Sequence, residues 1–181
     1  MELIETIADA LITYKAKNIV LDPVMVSTSG SRLIKEDAAE VLKERLMVLA
    51  DVITPNIPET EVLTGMTVDS ADSMEKAAIK IYEHLKTKGG NAAVLVKGGH
   101  AVHTANDCLC VDGSIVWLNG ERIDNPNTHG TGCTLSSAIA ANLAQGLSIE
   151  ESVKAAKEYL TGALLSLIHI SEPTRPISIS Y

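Results

Sequence analysis

Helical stripes and short apolar runs alternate along this chain. Apolar residues spaced three and four apart predict helices over residues 1–16, 35–49, 58–65, 70–88, 131–145 and 148–167. Short, mainly apolar runs closed by polar residues, proline or glycine predict buried strands at 18–22, 51–54 and 92–96. Residues 107–111 and 114–118 alternate around Asp112-Gly113, which is a strong β-hairpin signal. This alternation predicts an α/β fold with a mainly parallel sheet.

Composition narrows the class of protein. The 181 residues suit one domain, and 46% of them are apolar, which is enough to build a core. The net charge of −8 argues against a nucleic-acid partner, whose electrostatic footprint is a basic surface. No window approaches the roughly 20 apolar residues of a membrane span, so we expect no membrane partner. The three cysteines fit neither a zinc nor a CxxC spacing, which favours reduced thiols and a cytoplasmic location.

The segment NTHGTGCT, residues 127–134, precedes a predicted helix of small residues. Glycines at Gly130 and Gly132 allow a tight turn and a close approach of the backbone to a ligand. The N–H groups of the first helical turn then form an anion site, for which a phosphoryl group is the natural guest. Helix N-termini also stabilise the thiolate form of cysteine, so Cys133 is a candidate proton acceptor. The alternative is that Cys133 is a small residue that merely packs the helix start.

Three further polar segments follow predicted strands, where ligands bind in open parallel sheets. Asn56 and Glu59 in TPNIPETE offer oxygen ligands of the kind that a hydrated Mg²⁺ prefers. Asp22 in DPVMV can hold the metal or orient phosphate, and Lys97 in KGGH can meet a phosphate as a point charge. For the first two there is a structural alternative: a capped helix start for Asn56 and Glu59, and a carboxylate that satisfies loop amides for Asp22.

The order of these segments along the chain is more specific than any one of them. LDPVMVSTSGSRL, ITPNIPETEVLTG, VLVKGGH and NTHGTGCTLSSAIAANLAQG together resemble the hydroxymethylpyrimidine/phosphomethylpyrimidine kinases of thiamine biosynthesis, within the ribokinase-like superfamily. The resemblance runs from about residue 1 to residue 166. It implies a three-layer sandwich and ATP-dependent phosphorylation of hydroxymethylpyrimidine and then of its monophosphate. The GTGC form distinguishes this branch from ribokinase-like sugar kinases, which usually carry GxGD.

The resemblance also implies roles for individual residues. Cys133 takes the place of the family's proposed catalytic base, and Gly130, Thr131 and Gly132 form the anion hole. The implied magnesium-phosphate network comprises Asp22, Asn56 and Glu59. The implied nucleotide contacts are Lys97, Gly98, Gly99, Asn127 and Thr128. Mg²⁺ and ATP are therefore the expected cofactor and co-substrate, with a small heterocycle as the acceptor and a homodimer as a candidate assembly of the full-length protein.

Both ends of the chain depart from this pattern. Family members begin with a strand, a Gly-rich turn and a segment that contacts the pyrimidine, and we find no counterpart here, so we expect an incomplete sheet with its N-terminal strands missing. Residues 167–181 carry two prolines and no helical period, and we interpret them as an artefactual or disordered tail. Two alternatives stay open: a pyridoxal/pyridoxine kinase, which shares the phosphate machinery, and a truncated fragment without catalysis.

Overall fold

Six α-helices and five β-strands form within residues 2–25, 34–98, 106–120 and 130–169, the part of the chain that the computed structural model describes. The strands are β1 (Val20–Leu21), β2 (Val52–Ile53), β3 (Ala93–Val96), β4 (Asp107–Val111) and β5 (Ser114–Leu118). The helices are α1 (Glu2–Thr13), α2 (Glu36–Val41), α3 (Ile57–Thr64), α4 (Ala71–Thr87), α5 (Thr131–Ala144) and α6 (Ile149–His169).

The five strands form one mixed sheet in the order β1-β2-β3-β4-β5. The first three are parallel, with Val52 opposite Ala93, whereas β4 is antiparallel to both β3 and β5. The antiparallel part is the predicted hairpin, whose turn at Asp112-Gly113 has positive φ angles of 49° and 79°. The carboxyl ends of β1, β2 and β3 therefore lie at one edge of the sheet, the place where a ligand is expected.

Helices cover both faces of the sheet. Because side chains alternate along a strand, Val94 and Val96 pack toward α4 with Cys108 and Cys110, while Leu95 and Leu109 pack toward α5 and α6. The residues of α4 in the first cluster are Met74, Ala77, Ala78, Ile81, Tyr82 and Leu85. The second cluster contains Leu135, Ile139 and Leu143 of α5 and Val153 and Ala156 of α6. These three layers agree with the predicted sandwich.

One predicted helix changes its winding. Residues 35–49 begin as α2, continue as a π-helical turn at Leu42–Leu46 and end as a 3₁₀ turn at Met47–Leu49. Leu42 and Leu46 are buried in a cluster with Ala8 of α1, whereas Met47 is buried in the cluster beneath α4. The change of winding thus places neighbouring apolar side chains in two different clusters. Within the described residues, no helix is long and apolar enough to cross a bilayer.

Candidate active site

The carboxyl edge of the parallel strands brings three of the predicted site residues together. Asp22 follows β1, Asn56 follows β2, and Lys97 follows β3. The strand pairing continues one step beyond the named strands, because Asn56 forms a parallel bridge with Lys97 and the Lys97 N–H donates to Pro55 O at 2.9 Å. Residues that lie far apart in the sequence therefore meet as a direct result of the sheet order.

Asp22 and Lys97 form a largely buried ion pair. Lys97 Nζ lies 2.9 Å from Asp22 Oδ1, and the two side chains are only 18% and 15% exposed. The hydroxyl of Thr54, a residue that the sequence did not single out, donates to the same oxygen at 3.0 Å. The pair therefore has a fixed geometry across the ends of three strands, which is a requirement for a preorganised charge site.

The N-terminus of α5 lies directly above this pair. A Cβ built on Gly132 would come within 3.2 Å of Asp22 Oδ2 and 3.5 Å of Lys97 Nζ, so a larger residue here would have to displace one of these groups slightly. Gly130 caps the helix with a φ of 84°, in the left-handed region that favours glycine. The N–H groups of Gly132 and Cys133 belong to the first turn, where an α-helix offers no intrahelical carbonyl. A cationic side chain and a helix N-terminus, both favourable to an anion, are thus adjacent.

Asn56 and Glu59 form the capping box of α3. Asn56 Oδ1 accepts from the Glu59 N–H at 2.9 Å, and Glu59 Oε2 accepts from the Asn56 N–H at 2.8 Å. Glu59 Oε1 also accepts from the Met25 N–H at 3.4 Å, and the side chain is buried. Burial raises the pKa of Glu59, while Lys97 acts to lower it and Asp22 to raise it. Glu59 therefore ties together the chain after β1 and the start of α3.

Two carboxylates in this region, Asp22 and Glu59, are suitable ligands for Mg²⁺. Among the described residues, no three His, Cys, Asp or Glu side chains cluster closely enough to hold a metal ion. Asp22 and Glu59 are nevertheless hard oxygen donors in one place, and Mg²⁺ is commonly held by one or two carboxylates together with waters and phosphates. Their chemistry fits Mg²⁺. The predicted roles of Asp22, Asn56 and Glu59 as metal ligands stay predictions.

The three cysteines occupy contrasting environments. Cys133 is exposed and borders a cleft of about 610 Å³ that runs between α5 and α6, with Thr134, Ser137 and Tyr159 among its other lining residues. Cys108 and Cys110 are buried in β4, and burial raises the pKa of Cys108 to about 12. Of the three cysteines, only Cys133 is exposed, and its predicted catalytic role stays a prediction.

Part of the predicted site falls outside the residues that the structure describes. Gly99, Asn127 and Thr128 fall outside the described residues, as do residues 170–181 of the predicted tail. Gly98 is described, and its N–H donates to Asp107 Oδ1 at 2.9 Å. Asp107 was not among the predicted residues; the signal that could have indicated it is an acidic residue that opens a buried strand of the hairpin.

Comparison with known proteins gives this arrangement a family. The family model described as phosphomethylpyrimidine kinase matches residues 1–178. This chain belongs to that family. The hydroxymethylpyrimidine/phosphomethylpyrimidine kinase of Haemophilus influenzae is 38% identical over 180 residues, which cover 97% of this chain and 65% of the relative.

Solved structures of phosphomethylpyrimidine kinase relatives share the fold. A phosphomethylpyrimidine kinase from Clostridium difficile is 39% identical with a TM-score of 0.74, covering 90% of this chain and 64% of that one. An ADP complex of Bacillus subtilis pyridoxal kinase is 38% identical with a TM-score of 0.79, covering 90% of this chain and 60% of that one. The predicted ribokinase-like fold is thereby confirmed. The chain spans less than two thirds of the length of each of these relatives.

Proposed function

We propose that this chain forms the phosphate-binding part of a kinase that transfers the γ-phosphoryl group of ATP to hydroxymethylpyrimidine and then to its monophosphate. The observation that carries the proposal is the placement of the α5 N-terminus, through Gly132, against the buried Asp22–Lys97 pair. Family membership and the names of the relatives supply the acceptor.

Phosphoryl transfer needs positioning and compensation of charge more than covalent work from the protein. In our proposal the N–H groups of the Gly130–Cys133 turn donate to the transferred phosphoryl oxygens, and the Lys97 ammonium lies beside them. Asp22 and the Thr54 hydroxyl hold Lys97 and its partner carboxylate in place. Mg²⁺, held near Asp22, Asn56 and Glu59, would neutralise charge on the β- and γ-phosphates.

Cys133 is proposed as the proton acceptor in the first transfer. Its side chain is exposed in the first turn of α5, beside the helix N–H groups that would receive the phosphoryl group. In the first step the acceptor is an alcohol, which must lose a proton as it attacks. In the second step the acceptor is a phosphate that is already ionised, so a base matters less. Because the two acceptors differ in this way, we expect Cys133 to matter mainly in the first phosphorylation.

The base assignment is tested by Cys133→Ala in the full chain. We expect a loss of about 100-fold in the rate of the first phosphorylation, in line with general acid–base contributions, and a much smaller loss in the second. Ser137→Ala, one turn along α5 in the same cleft, is the control and should leave both steps near wild type. An equal loss in both steps with Cys133→Ala would contradict the base role and favour packing.

The function itself is tested by binding and transfer together. Calorimetry with Mg·ATP measures nucleotide binding, and product analysis with hydroxymethylpyrimidine, its monophosphate and pyridoxal measures transfer. Transfer to both pyrimidines in preference to pyridoxal supports the proposal. Preference for pyridoxal would favour the kinase class of the Bacillus subtilis structure, and nucleotide binding without any transfer would favour the non-catalytic alternative.

The remaining expectations follow from the same proposal. The partners are small molecules, namely the heterocycle and Mg·ATP, with no nucleic acid or membrane, and a homodimer is the proposed assembly of the full-length protein. All three cysteines are free thiols, which is the common state of proteins in reducing compartments. We propose the cytoplasm as the location.

A further inference from the structure

A second buried ion pair lies just behind the proposed nucleotide site. Lys157 of α6 approaches Asp107, the first residue of β4, with 2.7 Å between Nζ and Oδ2. The two side chains are 14% and 11% exposed. Lys157 also donates to Leu118 O at 3.1 Å, so α6 is bound to the end of β5 as well. Neither charge takes part in the arrangement of Asp22, Lys97 and the α5 N-terminus described above.

The other carboxylate oxygen of Asp107 reaches the site indirectly. Asp107 Oδ1 accepts the Gly98 N–H at 2.9 Å, and Gly98 directly follows Lys97. The approach is tight, because a Cβ on Gly98 would lie 2.0 Å from Asn106 O. The Gly98 peptide is therefore held between the backbone of Asn106 and the carboxylate of Asp107, with little freedom to rotate.

Asn106, the residue before Asp107, also accepts a hydrogen bond from a glycine N–H. Asn106 Oδ1 accepts the Gly120 N–H at 3.0 Å. Asn106 and Asp107 thus bind the chain at Gly98 and at Gly120, the residues at which β3 and β5 lead away from the sheet. Two polar side chains at the start of β4 therefore hold the backbone N–H groups of Gly98, just after β3, and Gly120, just after β5.

We propose that Asp107 is a positioning residue of the nucleotide site. It holds the Gly98 peptide, and through it the adjoining Lys97, while Lys157 supplies the counter-charge that allows a carboxylate to stand in this buried place. An ionised acceptor forms a stronger hydrogen bond to a backbone N–H than a neutral one, which suits a role in fixing the peptide. The role rests on the proposed function, because it presumes that Lys97 and Gly98 meet a nucleotide.

Two double variants of the full chain separate positioning from simple packing. D107L/K157M removes both charges and also the acceptor for the Gly98 N–H. D107N/K157M removes both charges but retains an oxygen that can accept that N–H. Both replace the pair without leaving an unpaired charge, so both are expected to stay folded, which circular dichroism and thermal unfolding check. They differ in the one bond that the proposal invokes.

The measurements are hydrogen exchange at the Gly98 amide by NMR and Mg·ADP affinity by calorimetry. We expect D107L/K157M to lose protection at Gly98 and to bind Mg·ADP about tenfold more weakly, the loss of one charge-assisted hydrogen bond. D107N/K157M should keep most of the protection and bind within about threefold of wild type, as the rescue by an acceptor requires.

Three other results would contradict parts of the proposal that Asp107 positions the nucleotide site. Equal weakening in both variants would show that the ion pair serves general packing and that the Gly98 bond is irrelevant. Wild-type affinity in both, with protection lost in D107L/K157M, would show that the bond exists but does not position the nucleotide. A wild-type chain that fails to bind Mg·ADP would overturn the proposed nucleotide site together with this role, while the exchange data would still report whether Asp107 holds Gly98.

Discussion

Two lysine–aspartate pairs of this protein are alike in chemistry and differ in their surroundings. The Asp22–Lys97 and Asp107–Lys157 pairs have N–O distances of 2.9 and 2.7 Å and similar burial. Beyond the pair itself, Asp22 meets a hydroxyl and the approach of Gly132, at the start of α5. Asp107 and Lys157 instead bond to backbone groups, the Gly98 N–H and Leu118 O.

In our proposal, that difference in partners distinguishes the pair that meets a ligand, Asp22–Lys97, from the pair that holds the backbone, Asp107–Lys157. A buried charge whose remaining bonds go to the backbone fixes the course of the chain. A buried charge beside a glycine and a helix N-terminus leaves room for an outside anion. Burial and pairing by themselves do not distinguish the two, because both pairs have them. The identity of the remaining partners does.

The largest expected effect concerns stability, and it tests whether the second pair is truly buried. Lys157→Met should lower the free energy of unfolding by about 3–5 kcal/mol, because it leaves the Asp107 carboxylate without its counter-charge. Urea unfolding measures the change. The same substitution at the exposed pair, Lys76→Met beside Asp72, should leave the free energy of unfolding nearly unchanged, because solvent screens that pair. Similar costs at the two positions would mean that Asp107 is solvated.

The next effect concerns Mg·ADP binding and compares the two lysine–aspartate pairs. D22N/K97M should weaken Mg·ADP binding by about tenfold to a hundredfold, because a lysine–phosphate contact worth about 1.5–3 kcal/mol and a proposed magnesium ligand are lost together. D107N/K157M, which makes the same exchange at the other pair, should bind within about threefold of wild type, because its acceptor for Gly98 remains. Calorimetry on both variants gives the comparison. Equal affinities would contradict the assignment of Lys97 to the nucleotide.

The sequence predicted the positions of the strands and their polar ends well. An apolar run that ends in Asp22 or Lys97 is visible locally, and so is a glycine-rich helix start. The ion pair between Lys97 and Asp22 could not be predicted from the sequence, because the two residues are 75 positions apart and meet only through the sheet order. Asp107 was missed because its charged partner, Lys157, lies 50 positions away on α6, and nothing local marks its bond to Gly98 just after β3. The π-helical turn at Leu42–Leu46 was also hidden, because its apolar stripe is compatible with an ordinary α-helix.

A smaller effect concerns pH and involves Glu59, whose pKa responds to both Asp22 and Lys97. Burial raises the pKa of Glu59 above the ordinary value of a glutamate, so the folded protein holds this proton more tightly than the unfolded chain does. Stability from this group is therefore present at low pH and is lost as pH rises from about 4.5 through the raised pKa. Glu59→Gln should remove that part of the pH dependence, as measured by chemical unfolding across pH 4 to 8.

Glu151 provides a control of opposite sign for the Glu59 prediction. The Ser148 side chain and backbone N–H lower its pKa, so its contribution to stability is lost as pH falls. Glu151→Gln should thus flatten the acid limb of the stability profile and leave the part above pH 5 unchanged. If Glu59→Gln gave the same sign as Glu151→Gln, the buried environment assigned to Glu59 would be wrong.

The smallest effect tests the close approach of α5 to the Asp22–Lys97 pair. Gly132→Ala places a Cβ 3.2 Å from Asp22 Oδ2, so the helix start or the carboxylate must shift by a few tenths of an ångström. We expect Mg·ADP affinity to fall by about threefold, since hydrogen bonds to the phosphate weaken with misplacement. Gly162→Ala in α6 meets no atom within 4 Å and should leave affinity unchanged while raising stability by about 0.5–1 kcal/mol through helix propensity. An affinity for Gly132→Ala equal to that of Gly162→Ala would mean that the α5 N-terminus and the Asp22–Lys97 pair do not act on the phosphate together.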